Sequence, residues 1–127
     1  LNLLLLLSFI SALNAGTPIH WSQQNAAEIV TAYEVHYAIP HHELFDTLNC
    51  ESALQPRSIH ENDGKGDSRG IAQISTYYHP EVTAQEAYDP IWAVSWSAQR
   101  FASGHAHEWS CYNQEAYRTA TSDTAFM

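Results

Sequence analysis

Apolar residues fall into four groups along this chain, each with its own spacing. The first, Leu1 to Leu13 (LNLLLLLSFISAL), is nearly unbroken. It has the length of the apolar core of a secretion signal and is short for a membrane span. Asn14-Ala15-Gly16 can hold a cleavage site, although Leu13 matches the usual small-residue pattern poorly. Residues 1–16 are therefore read as a signal peptide or, if uncleaved, an N-terminal anchor. Residues 17–127 are read as one domain, since a chain of 127 residues suffices for one and not for two. No Cys directly follows the apolar run, so a lipoprotein signal has no support.

The second group recurs at helical spacing. Ser22 is an N-cap candidate, and Ala26, Ile29, Val30, Tyr33 and Tyr37 share a face, with Glu28 and Glu34 directed elsewhere. Pro40 ends this helix or opens the next. The third group, Leu44, Phe45 and Leu48, predicts a helix from about His41 to Ser52. Glu51 follows Leu48 by three and Leu44 by seven, at the edge of the apolar stripe and near the C-terminal end.

The stretch from Gln55 to Asp67 (QPRSIHENDGKGD) breaks the pattern. Asp63-Gly64 and Lys65-Gly66 are turn signals, and a short hairpin or irregular lobe is expected. Asn62, Asp63 and Asp67 are oxygen ligands whose spacing fails the calcium-loop pattern. Ser68 to Ser75 is read as a helix start or tight turn that packs Ile71 and Ile74 inward. Thr83-Ala84-Gln85-Glu86 is a capping box. Asp89-Pro90 starts a helix that carries the fourth group, Ile91, Val94, Trp96, Ala98 and Phe101, and ends near Gly104. Trp92 and Trp96 share one face, best read as core packing. His107 to Asn113 predicts a last short helix, and the dozen residues with Thr119, Thr121, Ser122 and Thr124 are expected to fray. The whole reads as a small, mainly helical domain with a hairpin or loop lobe.

Charge excludes one class of function. Five Lys plus Arg face fourteen Asp plus Glu, a formal charge of −9, whereas nucleic acid needs a basic surface. Nothing electrostatic draws the chain to an anionic envelope either, so a substrate there must be held by shape, stacking and hydrogen bonds. The eight His can partly offset the charge in an acidic setting. The two Cys, Cys50 and Cys111, fit export and can pair in an oxidising compartment; two buried free thiols are the alternative. His41-His42 and His105-x-His107 match no metal motif, and no C-x-x-C is present, so no metal is expected.

Glu51 is the candidate for chemistry. At a helix C-terminus, beside apolar neighbours, the dipole and partial burial both disfavour the carboxylate and raise its pKa. A general acid near neutral pH requires that shift. Downstream, Ser68-Arg69-Gly70-Ile71-Ala72-Gln73 supplies a facing Gly-containing turn.

These residues in this order resemble the soluble lytic transglycosylase domain of the lysozyme-like superfamily, over about Ile39 to Asn113. Its Glu-Ser signature stands as Glu51-Ser52. Its Gly-Leu-Met-Gln motif, usually preceded by Ser-x, stands as Ser68-Arg69-Gly70-Ile71-Ala72-Gln73, with Ala72 in the place of Met. Its Asp-Pro and Ala-Tyr-Asn motifs correspond to Asp89-Pro90 and Cys111-Tyr112-Asn113. Cys111 and the following Gln114 depart from the family pattern, as does the His79-Pro80 exit.

The resemblance implies an α+β lysozyme-like fold and cleavage of the β-1,4 bond between N-acetylmuramic acid and N-acetylglucosamine in peptidoglycan. The product is a 1,6-anhydromuramic end, formed without a cofactor. Glu51 acts as acid and then base, while Ser68, Gly70 and Gln73 shape the substrate cleft. Tyr112 can hold the Glu51 rotamer. The expected partner is the glycan strand, the expected state a monomer, and the expected location periplasmic, cell-envelope or extracellular. Two rivals remain: a lysozyme-type hydrolase with Asp67 as second carboxylate, and a non-catalytic wall-binding protein on the same fold.

Overall fold

The computed structural model describes residues 1–115. The stretch expected to fray, Thr119 to Thr124, lies outside the described residues. Six α-helices and three short strands are described: α1 Leu3–Ala15, α2 Ala26–His36, α3 Glu43–Ser52, β1 Ile59–Glu61, β2 Asp67–Arg69, β3 Ile74–Ser75, α4 Ala84–Tyr88, α5 Pro90–Ala102 and α6 Ser110–Asn113. The protein is mainly helical, with a three-stranded antiparallel sheet in the order β1-β2-β3.

The apolar faces of α2, α3 and α5 meet in one core. Ile29 and Val30 from α2, Leu44 and Leu48 from α3, and Val94 and Ala98 from α5 are all fully buried. Local signals explain the ends of these helices. Ser22 accepts from the Asn25 N–H and starts a single 3₁₀ turn, so α2 proper begins at Ala26. The capping box at Thr83 forms in both directions. Asp89 Oδ1 accepts from the N–H groups of Ile91 and Trp92, with Pro90 in the first turn of α5.

Two local expectations change and one open reading is resolved. The helix expected from His41 starts at Glu43, because His41 and His42 both take left-handed backbone (φ 57° and 55°). Of the two readings of Ser68–Ser75 the tight turn is the one found: β2 and β3 pair Ser68 with Ser75 and Arg69 with Ile74 across a turn, and Ile71 and Ile74 are buried as expected. Glu28 and Glu34 are buried rather than solvent-facing. Glu34 accepts from the Phe45 N–H at 2.9 Å and contacts His42 at 3.1 Å, while Glu28 accepts from the Asn2 N–H at 2.9 Å. At the end of α3, Cys50 is exposed and Ser52 turns into the core.

Helix α1 lies along α2, with Phe9 and Leu13 against the core and Leu1, Leu3, Leu4 and Leu7 exposed. Among the described residues no helix is long and apolar enough to cross a membrane. Cys50 and Cys111 are joined in a disulfide that ties α3 to α6, which is consistent with an exported protein.

Candidate functional site

Three successive residues at the end of α3 are held by two other parts of the chain, Cys50 and Glu51 by Ser110–Cys111 and Ser52 by Ile71. Cys50 is linked to Cys111. Ser52 is buried and donates its hydroxyl to the Ile71 carbonyl at 2.6 Å, pinning the helix end to the turn between β2 and β3. Between them, Glu51 Oε2 accepts from the Cys111 N–H at 3.0 Å and from the Ser110 hydroxyl at 3.4 Å. Ala53 and Leu54 then take left-handed backbone (φ 54° and 58°) and turn the chain away. The Glu51 carboxyl is thereby anchored through Oε2 by two adjacent donors at the start of α6.

Burial pushes the Glu51 carboxyl above the ordinary carboxylate range, opposed by the Cys111 N–H and the Ser110 hydroxyl, which favour the anion. Burial dominates. The group is half-buried, so it holds a proton more readily than a free carboxyl while still reaching the surface.

That surface is a cleft. One arm, of about 300 Å³, is lined by Glu51, Asn62, Lys65, Ser68 and Ser110 among others. A second arm, of about 480 Å³, adds His79 and Trp96. The two share Gln73, Ser75, Tyr78, Glu108 and Trp109, so they form one groove. Trp109 is held by its indole N–H, which donates to the Ala72 carbonyl at 2.7 Å. Trp96 stacks on Trp92 and meets Trp109 edge-on at 5.9 Å. Tyr78, by contrast, is 66% exposed.

Period-two alternation in β2 decides which candidates reach the groove. Ser68 and its cross-strand partner Ser75 both line it. The Ser68 hydroxyl accepts from Asn62 Nδ2 at 2.8 Å, which leaves its proton for another partner. Asp67 and Arg69 flank Ser68 and lie on the opposite face, where they pair with each other at 3.2 Å. Gln73 lines the groove, but its amide nitrogen donates to the Ser58 and Gly70 carbonyls at 3.2 and 2.8 Å, so its oxygen is the group left for a ligand.

Gly70 is buried, and a Cβ on it would sit 1.8 Å from the Ala87 carbonyl oxygen; the close approach that requires glycine here is to protein backbone. The Tyr112 ring stands edge-on to Phe101 and His107, at 5.5 and 5.2 Å, and lines a separate pocket with Tyr37. Among the described residues no group of three or more His, Cys, Asp or Glu is placed to hold a metal ion.

Sequence reasoning missed Glu108, Trp109 and Ser110. The signal for the last two was present. If Cys50 and Cys111 pair, residues just before Cys111 must lie beside Glu51. Glu108 carried no such marker. It accepts from Arg100 Nε at 2.6 Å and Nη2 at 2.5 Å and lies 3.4 Å from His79 Nε2. Hydrogen bonding from Arg100 holds the Glu108 carboxyl below the usual carboxylate range. The groove therefore carries two carboxyl groups whose surroundings push them in opposite directions.

No protein-family model, curated protein or solved structure matches this chain. The functional reading rests on the residues and the groove.

Proposed function

We propose that this protein is an exported, lysozyme-like lytic transglycosylase acting on peptidoglycan strands, with Glu51 as its single acid and base. The observation that carries the reading is the half-buried Glu51 carboxyl on an aromatic-walled groove, its pKa raised by burial. Glu51 protonates the glycosidic oxygen as the C1–O4 bond breaks and the muramic ring takes on oxocarbenium character. The C6 hydroxyl of the same sugar then bonds to C1 and returns its proton to Glu51, closing the 1,6-anhydro ring. One carboxyl group suffices, because the nucleophile belongs to the substrate.

The exposed Tyr78 offers an apolar face for a sugar ring, and the edges of Trp96 and Trp109 form the wall behind it, as a chain with few cations requires. Ser68 and the Gln73 oxygen suit hydroxyl and N-acetyl groups. The hydrolase reading through Asp67 draws no support from its position on the far face of β2.

Purified sacculi digested with the protein test the reading. Released muropeptides should carry anhydro ends, lighter by one water than hydrolytic products, and Glu51→Gln should release none. Equal cleavage by wild type and variant would overturn it; no cleavage by either would leave a wall-binding role.

A further inference from the structure

Glu108 poses a chemical question that rests on the transglycosylase reading. A second carboxylate on a glycosidase groove ordinarily activates water. If it did so here, water would bond to C1 and pass its proton to Glu108 while Glu51 protonated O4. A hydrated reducing end would then replace the anhydro ring. For that step Glu108 needs its more basic syn lone pairs and ordinary basicity, and its surroundings occupy the first and lower the second.

Each Glu108 oxygen accepts from Arg100, in a two-toothed contact that occupies the side of the carboxylate best placed to take a proton. Oε1 also faces His79 Nε2 at 3.4 Å. Arg100 is itself fixed, projecting from α5 with its guanidinium carbon 5.2 Å from the Trp96 ring centre. His79 stands edge-on to the same ring at 4.9 Å and contacts Glu81 at 3.3 Å. Arginine does not lose its proton near neutral pH, and the lowered pKa of Glu108 keeps the carboxylate charged there, so the pairing persists across that range.

We infer that Arg100 is a specificity-determining residue: by clamping Glu108 with its Nε and Nη2 N–H groups, it keeps that carboxylate from activating water and reserves C1 for the sugar's own C6 hydroxyl. The lowered pKa of Glu108 agrees with this, since a carboxylate so stabilised is a weaker base. Arg100 touches no reacting atom. It acts through Glu108, and its signature is the identity of the product rather than the rate alone.

The test compares full-length wild type with Arg100→Gln and with Arg100→Gln/Glu108→Gln on purified sacculi, and measures the ratio of hydrated to anhydro ends by mass. Arg100→Gln frees Glu108 and should raise the ratio about tenfold or more, within the roughly 10²–10⁴-fold that a positioned general base contributes. The double variant should return to the wild-type ratio. Arg100→Lys keeps the charge without the two-toothed contact and should fall between; it also serves if Arg100→Gln fails to fold. An unchanged ratio in the single variants overturns the inference, as does a raised ratio that persists in the double variant, because the water would then owe nothing to Glu108. Hydrated ends from wild type, or cleavage by Glu51→Gln, would instead overturn the transglycosylase reading itself.

Discussion

Removing the Cys50–Cys111 disulfide should weaken the fold and retune Glu51 at once. The bond closes a loop across a sequence separation of 61 residues. Opening that loop in the unfolded chain restores conformational entropy worth about 4 kcal/mol at 25 °C. Domains of this size are stable by only about 5–15 kcal/mol, so the loss is a large fraction of the total. A second effect is local. Cys111 also supplies the N–H that bonds the Glu51 carboxylate at 3.0 Å and partly offsets the effect of burial on its pKa. Once untethered, that N–H is held less firmly, and the Glu51 pKa should rise further. The double variant Cys50→Ser/Cys111→Ala should therefore unfold in less urea than wild type, by an amount equivalent to about 4 kcal/mol. Its rate of muropeptide release should fall, and the alkaline limb of its pH profile should move to higher pH. A stability loss below about 1 kcal/mol, the size of an ordinary point substitution, together with an unmoved alkaline limb, would refute both halves of this reasoning.

The carboxyl groups of Glu51 and Glu34 are both raised by burial, so their protonated forms favour the native state. Their contribution is complete below the ordinary carboxylate pKa and is lost as pH rises through the raised values. Stability should therefore fall as pH rises above the ordinary carboxylate pKa in urea titrations, less steeply in Glu51→Gln, while Glu108, with its pKa lowered, produces the opposite slope at more acid pH. Gly70→Ala places a Cβ against the Ala87 carbonyl at a φ of +78° and should cost at least the upper end of the about 1–3 kcal/mol typical of overpacking, read as a drop in melting temperature. Trp109→Phe keeps the ring in the groove but strands the Ala72 carbonyl, so calorimetry should register a loss of about 1–3 kcal/mol, and wild-type stability would contradict the role given to that hydrogen bond.

What could be read from the chain alone was local or was marked by chemistry. The apolar spacing of α2, α3 and α5 and the caps at Ser22, Thr83 and Asp89 act within a few residues of where they stand, so periodicity and cap chemistry located them. The placement of Glu51 at the edge of the α3 stripe followed from the same spacing, and the Cys count pointed to the one cross-link. Four features depended on contacts between residues distant in sequence. Glu28 and Glu34 are buried because backbone N–H groups of Asn2 and Phe45 happen to meet them, which no helical wheel shows. Asp67 is turned from the groove by strand alternation, and that needs the register of β2 against β3. Gly70 is required by the Ala87 carbonyl, seventeen positions on. Glu108 joins the groove because the fold packs α5 against the segment before α6, so that Arg100 can grasp it. Short-range order is written in neighbouring side chains, but a groove is made where remote segments pack, and only the folded chain decides which charges share it.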